Sequence, residues 1–372
     1  CVCVWRECVW KKREGERKGG GQPGRRGGID RRPAGARRGI RLWMIVIFGL
    51  LVAMIAVGGL TRLTDSGLSI TEWRPVTGVL PPMSLADWQA EFDGYRKIPE
   101  FIVDNPHMTL SEFKMIFWWE WTHRLLARAI GAVFLGGFLL FLVQKRLNWR
   151  LAPPLGLLFV LGGFQGLVGW WMVSSGLEVR TDVSQYRLAA HLGTALVLFL
   201  AIIWVARRLR PVDVRMMVPA GWYWSVGLLV ALIYVQIIAG AFVAGTDAGF
   251  GYNTWPLMDG GFIPAGLGAM SPWWRNLFEN ALTVQFDHRM VAYVVTAYAA
   301  FLLWKGRLSP GFAGVHGWMP RLMLLILVQV GLGIATLLSV VSIPVAVAHQ
   351  AMAFMLAGAT MAYLADMSRA VR

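Results

Sequence analysis

Four of the six histidines fall into two matching pairs, His123 with His191 and His288 with His349, each near the end of a long apolar segment. An ionisable side chain at membrane depth is costly and persists mainly where it faces a bundle interior, binds something or moves protons. A single such imidazole is as readily a buried, hydrogen-bonded side chain as a ligand. A pair repeated in corresponding places points instead to two heme-type irons, because axial ligation explains the pairing, the common depth and the separation onto different helices together. A non-heme metal fits less well, since the pairs bring no Cys and few carboxylates. Three residues before His123 stands Glu120, which a helix places on the same face, one turn outward. Its counterpart before His288 is Gln285, isosteric but unable to ionise. One site therefore has a charge available for chemistry that the other lacks. The competing reading makes Glu120 a solvated acid at a helix start, favoured by the helix dipole.

Other residues have structural and functional readings side by side. Arg62, Arg74, Arg124, Arg128 and Arg289 could pair bidentately with heme propionates or snorkel at the interface. The clusters Trp118, Trp119, Trp121 and Trp170, Trp171 read as an outer aromatic belt. Gly162, Gly163, Gly166, Gly169, Gly331 and Gly333 read as points of close helix approach. His107 and His316 fall in connections and read as solvated.

The elements that must position these side chains are membrane helices. The chain has 372 residues, 56% of them hydrophobic and 15% charged, with a mean hydropathy of +0.52, too little polar surface for a soluble globule of that size. Stretches 42–61, 151–177, 188–206 and 216–246 are uncharged, and each can cross a bilayer once. Two more spans, at about 120–144 and 281–304, keep charges near their outer ends. The 44 residues from Leu322 to Ala365 carry no charge and are about twice a bilayer thickness, so they form two helices broken at Ser339 to Pro344. The expected fold is an all-α integral membrane protein of eight transmembrane helices.

The eight helices read as one four-helix unit written twice. Thr64-Asp65-Ser66-Gly67, Trp73 and Pro82 recur at one constant offset as Thr246-Asp247-Ala248-Gly249, Trp255 and Pro264, with both Thr-Asp-x-Gly segments read as turns. His123 then matches His288, Gln165 falls near Gln329, and His191 near His349. An even number of helices per unit gives both halves the same orientation, a parallel repeat of two four-helix bundles. The expected divisions are a basic tail at 1–40, a first half at 41–210 and a second half at 211–372.

Charge sets the orientation. Alternate connections carry Lys145, Arg146, Arg150; Arg207, Arg208, Arg210, Arg215; Lys305, Arg307, Arg321; and Arg369, Arg372, whereas the other side mixes signs, as in Asp65, Glu72, Arg74, Asp87 and Glu91. The positive-inside rule then places both termini in the cytoplasm and all four histidines near the outer face. The +15 net charge is a topology signal rather than a sign of nucleic-acid binding. The first 40 residues hold all three cysteines, Cys1, Cys3 and Cys8, and read as a disordered basic tail or an over-extended gene start. A mitochondrial presequence fits poorly, because the tail has Glu and little Ser or Thr. The membrane body therefore has neither a disulfide nor a thiolate ligand.

Several ordered segments resemble the heme A synthase family, in its mitochondrial and alphaproteobacterial branch. They are Gly-Gly-Leu-Thr-Arg-Leu-Thr-Asp-Ser-Gly-Leu-Ser-Ile-Thr-Glu-Trp from Gly58, Glu120-Trp-Thr-His123-Arg124-Leu-Leu, Ala-Ala-His191-Leu-Gly, Gly-Thr-Asp-Ala-Gly from Gly245, and Phe-Asp-His288-Arg289. The resemblance spans about residues 41–366. It implies an oxidoreductase that converts a peripheral methyl of heme O to the formyl of heme A by successive oxidations, for terminal oxidases. It further implies a resident heme b held by His288 and His349, and heme O as substrate between His123 and His191. The catalytic carboxylate would be Glu120, with Arg124 and Arg128 as propionate partners. Another branch uses a cysteine pair in an outer loop, which this chain lacks, so a thiol-dependent electron step is in doubt here.

The implied setting is a bacterial inner membrane, with the lipid bilayer, heme O synthase and a membrane electron acceptor as partners, and homo-oligomerisation open. A mitochondrial inner membrane is the secondary location. A di-heme b-type electron carrier without heme-modifying activity is the alternative function. A transporter on a parallel repeat is weaker, since it leaves the histidine pairs unexplained.

Overall fold

The structure is a computed structural model that describes residues 34–209, 218–308 and 315–369, with side chains described for 38–209, 218–308 and 317–369. Most of the N-terminal tail, including its three cysteines, lies outside the described residues, as do Arg210, Arg215, Arg372 and the side chain of His316. Among the described residues the fold is all-helical, with one isolated β-bridge between Met258 and Gly261. Eight long helices are α1 (Ala34–Leu63), α2 (Leu110–Val143), α3 (Ala152–Ser174), α4 (Gln185–Arg208), α5 (Ala220–Gly245), α6 (Ala281–Arg307), α7 (Val315–Leu338) and α8 (Ile343–Met367). The break expected at Ser339 to Pro344 is present. The chain turns through Val340 and Val341, both at positive φ, and Pro344 sits in the first turn of α8.

All of these helices except α6 are long and apolar enough to cross a membrane, and the chain is a multi-pass membrane protein. In α6, Arg289 and Lys305 bound the apolar run. Large apolar side chains project outward along the spans, among them Ile45 at 51%, Leu140 at 52%, Val160 at 64% and Leu324 at 62% exposure, as lipid contact requires. Trp118 and Trp119, more than two turns into α2, and Trp170 and Trp171, in the last turns of α3, are also exposed.

Helix packing forms two closed circuits. In one, α1 packs on α2, α2 on α3, α3 on α4 and α4 back on α1; the other runs α5, α6, α7, α8 and back to α5. Contacts of α4 with α5, α4 with α8 and α1 with α8 join the circuits. Ile40, Met44, Phe134, Leu155 and Ile202 lie in an apolar core of the first circuit, and Leu196, Leu229, Ala299, Leu322 and Phe354 in a second core that α4 shares. At one end of the join, Arg207 and Arg369 bind Asp366. Nearer the histidines, Gln350 of α8 donates to the Ile55 carbonyl of α1 at 3.1 Å.

Helix α2 begins at Leu110, well before the expected start near Glu120. Its first turn is fixed by a capping box, in which Glu112 accepts from Thr109 N at 2.8 Å and the Glu112 amide donates to Thr109 Oγ1 at 3.4 Å. The added turns are amphipathic. Phe113 and Phe117 pack with Trp88, Phe92 and Tyr95 of the loop helix Leu85–Tyr95. That aromatic cluster roofs the first circuit and takes in Leu68, and so anchors the segment that passes over Glu120.

Candidate heme and carboxylate site

Because α2 starts early, Glu120 lies three turns inside it and is 2% exposed, so it is not a solvated acid at a helix start. Its Oε2 accepts from Ser69 Oγ and from the Ile70 backbone amide, both at 2.7 Å. Its Oε1 accepts from Arg124 Nε at 3.0 Å and Nη2 at 2.5 Å. Four hydrogen bonds thus converge on this buried carboxylate, two of them from the Arg124 guanidinium in a charge-assisted pair. Arg124 continues into the loop, donating to the Ile70 carbonyl at 2.8 Å and the Glu72 carbonyl at 3.1 Å.

The same clamp recurs around Gln285 with its polarity reversed. Arg289 donates to the Tyr252 and Thr254 carbonyls, both at 2.9 Å, and to Gln285 Oε1 at 2.8 Å. The Gln285 amide then donates to the Ala248 and Gly251 carbonyls at 2.6 and 2.8 Å. Where Glu120 receives protons from its loop, Gln285 gives them. The turns entering the two loops also correspond: Thr64 and Thr246 each donate back one helical turn at 2.8 Å, and Asp65 and Asp247 stand at φ 46° and 50°. Arg62 ties them together through Asp65 at 3.1 Å and Asp247 at 2.7 Å.

The arginines read as propionate partners thus divide. Arg62, Arg74 and Arg124 are engaged by protein acceptors, Arg74 by Glu72 and Glu91, so Arg124 is first of all the clamp on Glu120 and its loop. Arg128 donates to the Pro75 and Arg74 carbonyls at 2.9 and 2.8 Å and leaves a buried Nη1 without a partner. Arg289 likewise leaves Nε without one, as does Arg62 despite its two aspartate partners. A cleft of about 400 Å³ opens beside Ile70, Arg74, Phe117, Trp121, Arg124 and Arg128.

The histidines sit on α2, α4, α6 and α8, each against a glycine of a neighbouring helix. A Cβ at Gly58, Gly169, Gly240 or Gly333 would meet His123, His191, His288 or His349 at 3.2, 3.0, 3.1 or 2.9 Å. Glycine here makes room for an imidazole rather than for a helix backbone. This corrects the packing reading for Gly169 and Gly333, while Gly162, Gly163, Gly166 and Gly331 face open space. Gln165, Gln236 and Gln329 place their amide nitrogens 3.1 Å from Nδ1 of His191, His288 and His349, those of Gln165 and Gln236 also 3.4 and 3.3 Å from Nε2, and donate to the three residues' backbone carbonyls. Thr194 orients Gln165 by donating to its Oε1 at 2.6 Å, whereas Oε1 of Gln236 and of Gln329 is buried and unpartnered. These glutamines were absent from the ligand set read off the sequence. Their signal is Gln four residues before the cradling glycine, three times over.

Between His288 and His349 the ring centroids are 6.5 Å apart, with planes at 81°. A metal held between two imidazoles, with metal–nitrogen bonds of about 2.0 Å and about 1.1 Å from nitrogen to ring centre, would need roughly 6.2 Å between ring centres. Among the described residues, no three His, Cys, Asp or Glu side chains gather to hold a metal. Two protein ligands are what a porphyrin iron takes. The remaining histidine with a described side chain, His107, is exposed in the loop before α2.

Comparison with known proteins identifies the family. The chain is 51% identical over 320 residues to a heme A synthase of Parvibaculum lavamentivorans, covering 86% of this chain and 91% of that one. It is 49% identical over 341 residues to a heme A synthase of Azorhizobium caulinodans, covering 91% and 97%, and 53% identical over 319 residues to one of a Bradyrhizobium species, covering 84% and 86%. Residues 41–361 match the COX15-CtaA model, described as cytochrome oxidase assembly protein. With the match running through every helix that carries a histidine of the two pairs, the chain belongs to the COX15-CtaA family of cytochrome oxidase assembly proteins.

Proposed function

We propose that the protein is a heme A synthase, an oxidoreductase that takes a peripheral methyl group of heme O to the formyl group of heme A by successive oxidations. The observation that carries the reading is the buried Glu120, clamped by Arg124 and standing three residues before one of two histidine pairs, against Gln285 before the other. In this reading His123 and His191 hold heme O as substrate, with Arg128 Nη1 available to a propionate. His288 and His349 hold a resident heme b, which supplies one-electron transfer when bound; the 6.5 Å ring separation and the unpartnered Oε1 of Gln236 and Gln329 support the fit. Those oxygens are placed to accept from an Nδ1–H once the amide turns, leaving Nε2 for iron.

Oxidation of the methyl withdraws electrons and builds positive charge at that carbon. Glu120 stabilises this charge, or orients a water against it, from a site that Ser69, Ile70 and Arg124 have already organised. The loop over Glu120 excludes bulk water, which strengthens the field of the carboxylate.

The architecture proposed around this site is eight transmembrane helices in two parallel four-helix halves, 41–210 for substrate and 211–372 for heme b, following the basic tail 1–40. The two packing circuits, the paired loop clamps and the paired turns support it. Helix α6 is the eighth crossing, packed between α5 and α7. Charge places both termini on the cytoplasmic side of a bacterial inner membrane. Heme O synthase as donor, a membrane electron acceptor and self-association complete the proposal.

The test is to extract the pigments of the purified protein and identify them by chromatography. Heme O or heme A beside heme b is expected. Heme b alone supports a di-heme carrier, and absence of heme overturns both.

A further inference from the structure

His191, His288 and His349 are held alike, each between a glycine and a glutamine amide of the neighbouring helix. In each the Cε1 and Nδ1 edge of the ring faces the glycine. His123 keeps the glycine but has no amide. The constant offset that carries Thr64 to Thr246 carries Gly58 to Gly240 and Met54 to Gln236, so a thioether stands where the second half has the amide. Against Gly58 the His123 ring presents Nε2 at 3.2 Å and Cδ2 at 3.4 Å, the edge that a half-turn about Cβ–Cγ would exchange for Cε1 and Nδ1. No hydrogen bond reaches the ring from the described residues. An amide distinguishes ring nitrogen from ring carbon, whereas a thioether is only a weak acceptor and barely does so.

We propose that Met54 makes His123 the exchangeable ligand of the first-half site, through which heme is taken up and released, while Gln236 at the matching position makes the second-half heme resident. The inference rests on the assignment of the substrate to the first half. Its physical basis is the orientation of the ring by a polar partner on the neighbouring helix; losing an outer partner of a metal-ligating histidine weakens metal binding roughly 10- to 100-fold. A ligand without that partner rebinds iron less readily after each dissociation. Exchange at His123 therefore frees one face of the macrocycle, while His191, clamped through Gln165 and Thr194, keeps hold of the other.

The test compares full-length Met54→Gln, Met54→Leu and Gln236→Met with the unaltered protein. Release of bound heme to an excess of a heme-scavenging protein is followed optically, and the released pigment is identified by chromatography. Met54→Gln should release heme O or heme A about tenfold more slowly, Met54→Leu at the unaltered rate, and Gln236→Met should lose heme b about tenfold faster. Unchanged release from Met54→Gln, or equal slowing in Met54→Leu, overturns the proposal. If Met54→Gln slows release and the retained pigment is heme b, the role of Met54 stands and the substrate assignment falls. Should Met54→Gln fail to accumulate, Gln236→Met decides: unchanged heme b retention overturns the proposal, and faster loss supports it.

Discussion

The two histidine-bearing regions share one scaffold and differ in what it is tuned to do. In both, an arginine four residues along the helix from the Glu or Gln reaches two carbonyls of the overlying loop, Ile70 and Glu72 in one, Tyr252 and Thr254 in the other. The clamp therefore does not need a carboxylate, since Gln285 completes it by donating to Ala248 and Gly251. A buried charge where a neutral amide serves the architecture equally well calls for a functional reason, because ionised groups are expensive to bury. The contrast also covers the imidazoles: one of the four lacks an amide partner, and it is the histidine nearest in sequence to that charge.

The largest expected effect comes from removing ligands on one side only. His349→Ala should abolish heme b binding while heme O still binds to the first half; loss of both pigments together would break the division of labour between the halves. Next is Glu120→Ala, which should lower heme A formation by about a hundredfold or more with heme b retained, the scale seen when a preorganised electrostatic partner of a reacting centre is deleted. Heme A output at the unaltered level would remove Glu120 from the chemistry. The reciprocal Gln285→Glu strips the Ala248 and Gly251 carbonyls of their donor. It should cost about 1–3 kcal/mol for each buried carbonyl left unpaired, read in thermal unfolding in detergent, without creating a second oxidation site.

The smallest effect sharpens the contrast between the loops that overlie Glu120 and Gln285. Glu100 is buried under the first-half aromatic cluster, accepts from Tyr95 OH at 3.2 Å, and is pushed by burial from 4.5 up to about 8. The folded loop therefore holds a proton that the unfolded chain releases. Its stability should fall as pH rises from about 4.5 to about 8 and level off above. Hydrogen exchange in residues 85–105 should quicken over that range, and Glu100→Gln should flatten the dependence.

Much of this molecule is legible one residue at a time. Uncharged runs marked the spans because every buried backbone group in lipid must be satisfied within a helix, which leaves length and hydropathy as sufficient local signals. The early start of α2 escaped that reading because Lys114 and Glu112 interrupt the apolar run. Its true signals are amphipathic spacing at Phe113 and Phe117 and the Thr109 capping box. Arg124 was legible as a cation at the right depth, but not as the residue that grips Glu120, because its loop acceptors are backbone carbonyls without a sequence code.

By itself the sequence determined the helices, the duplicated histidines and the Glu120 against Gln285 difference, because each is a matter of residue type and spacing along one strand of chain. Only the tertiary structure decided that glycines make room for imidazoles, that three glutamine amides hold their rings, and that no amide reaches the ring of His123 among the described residues. These depend on how far each helix is rotated toward its neighbour. That rotation is set by packing across the two circuits, where the partners are far apart in the chain and only interhelical geometry brings them within hydrogen-bonding distance.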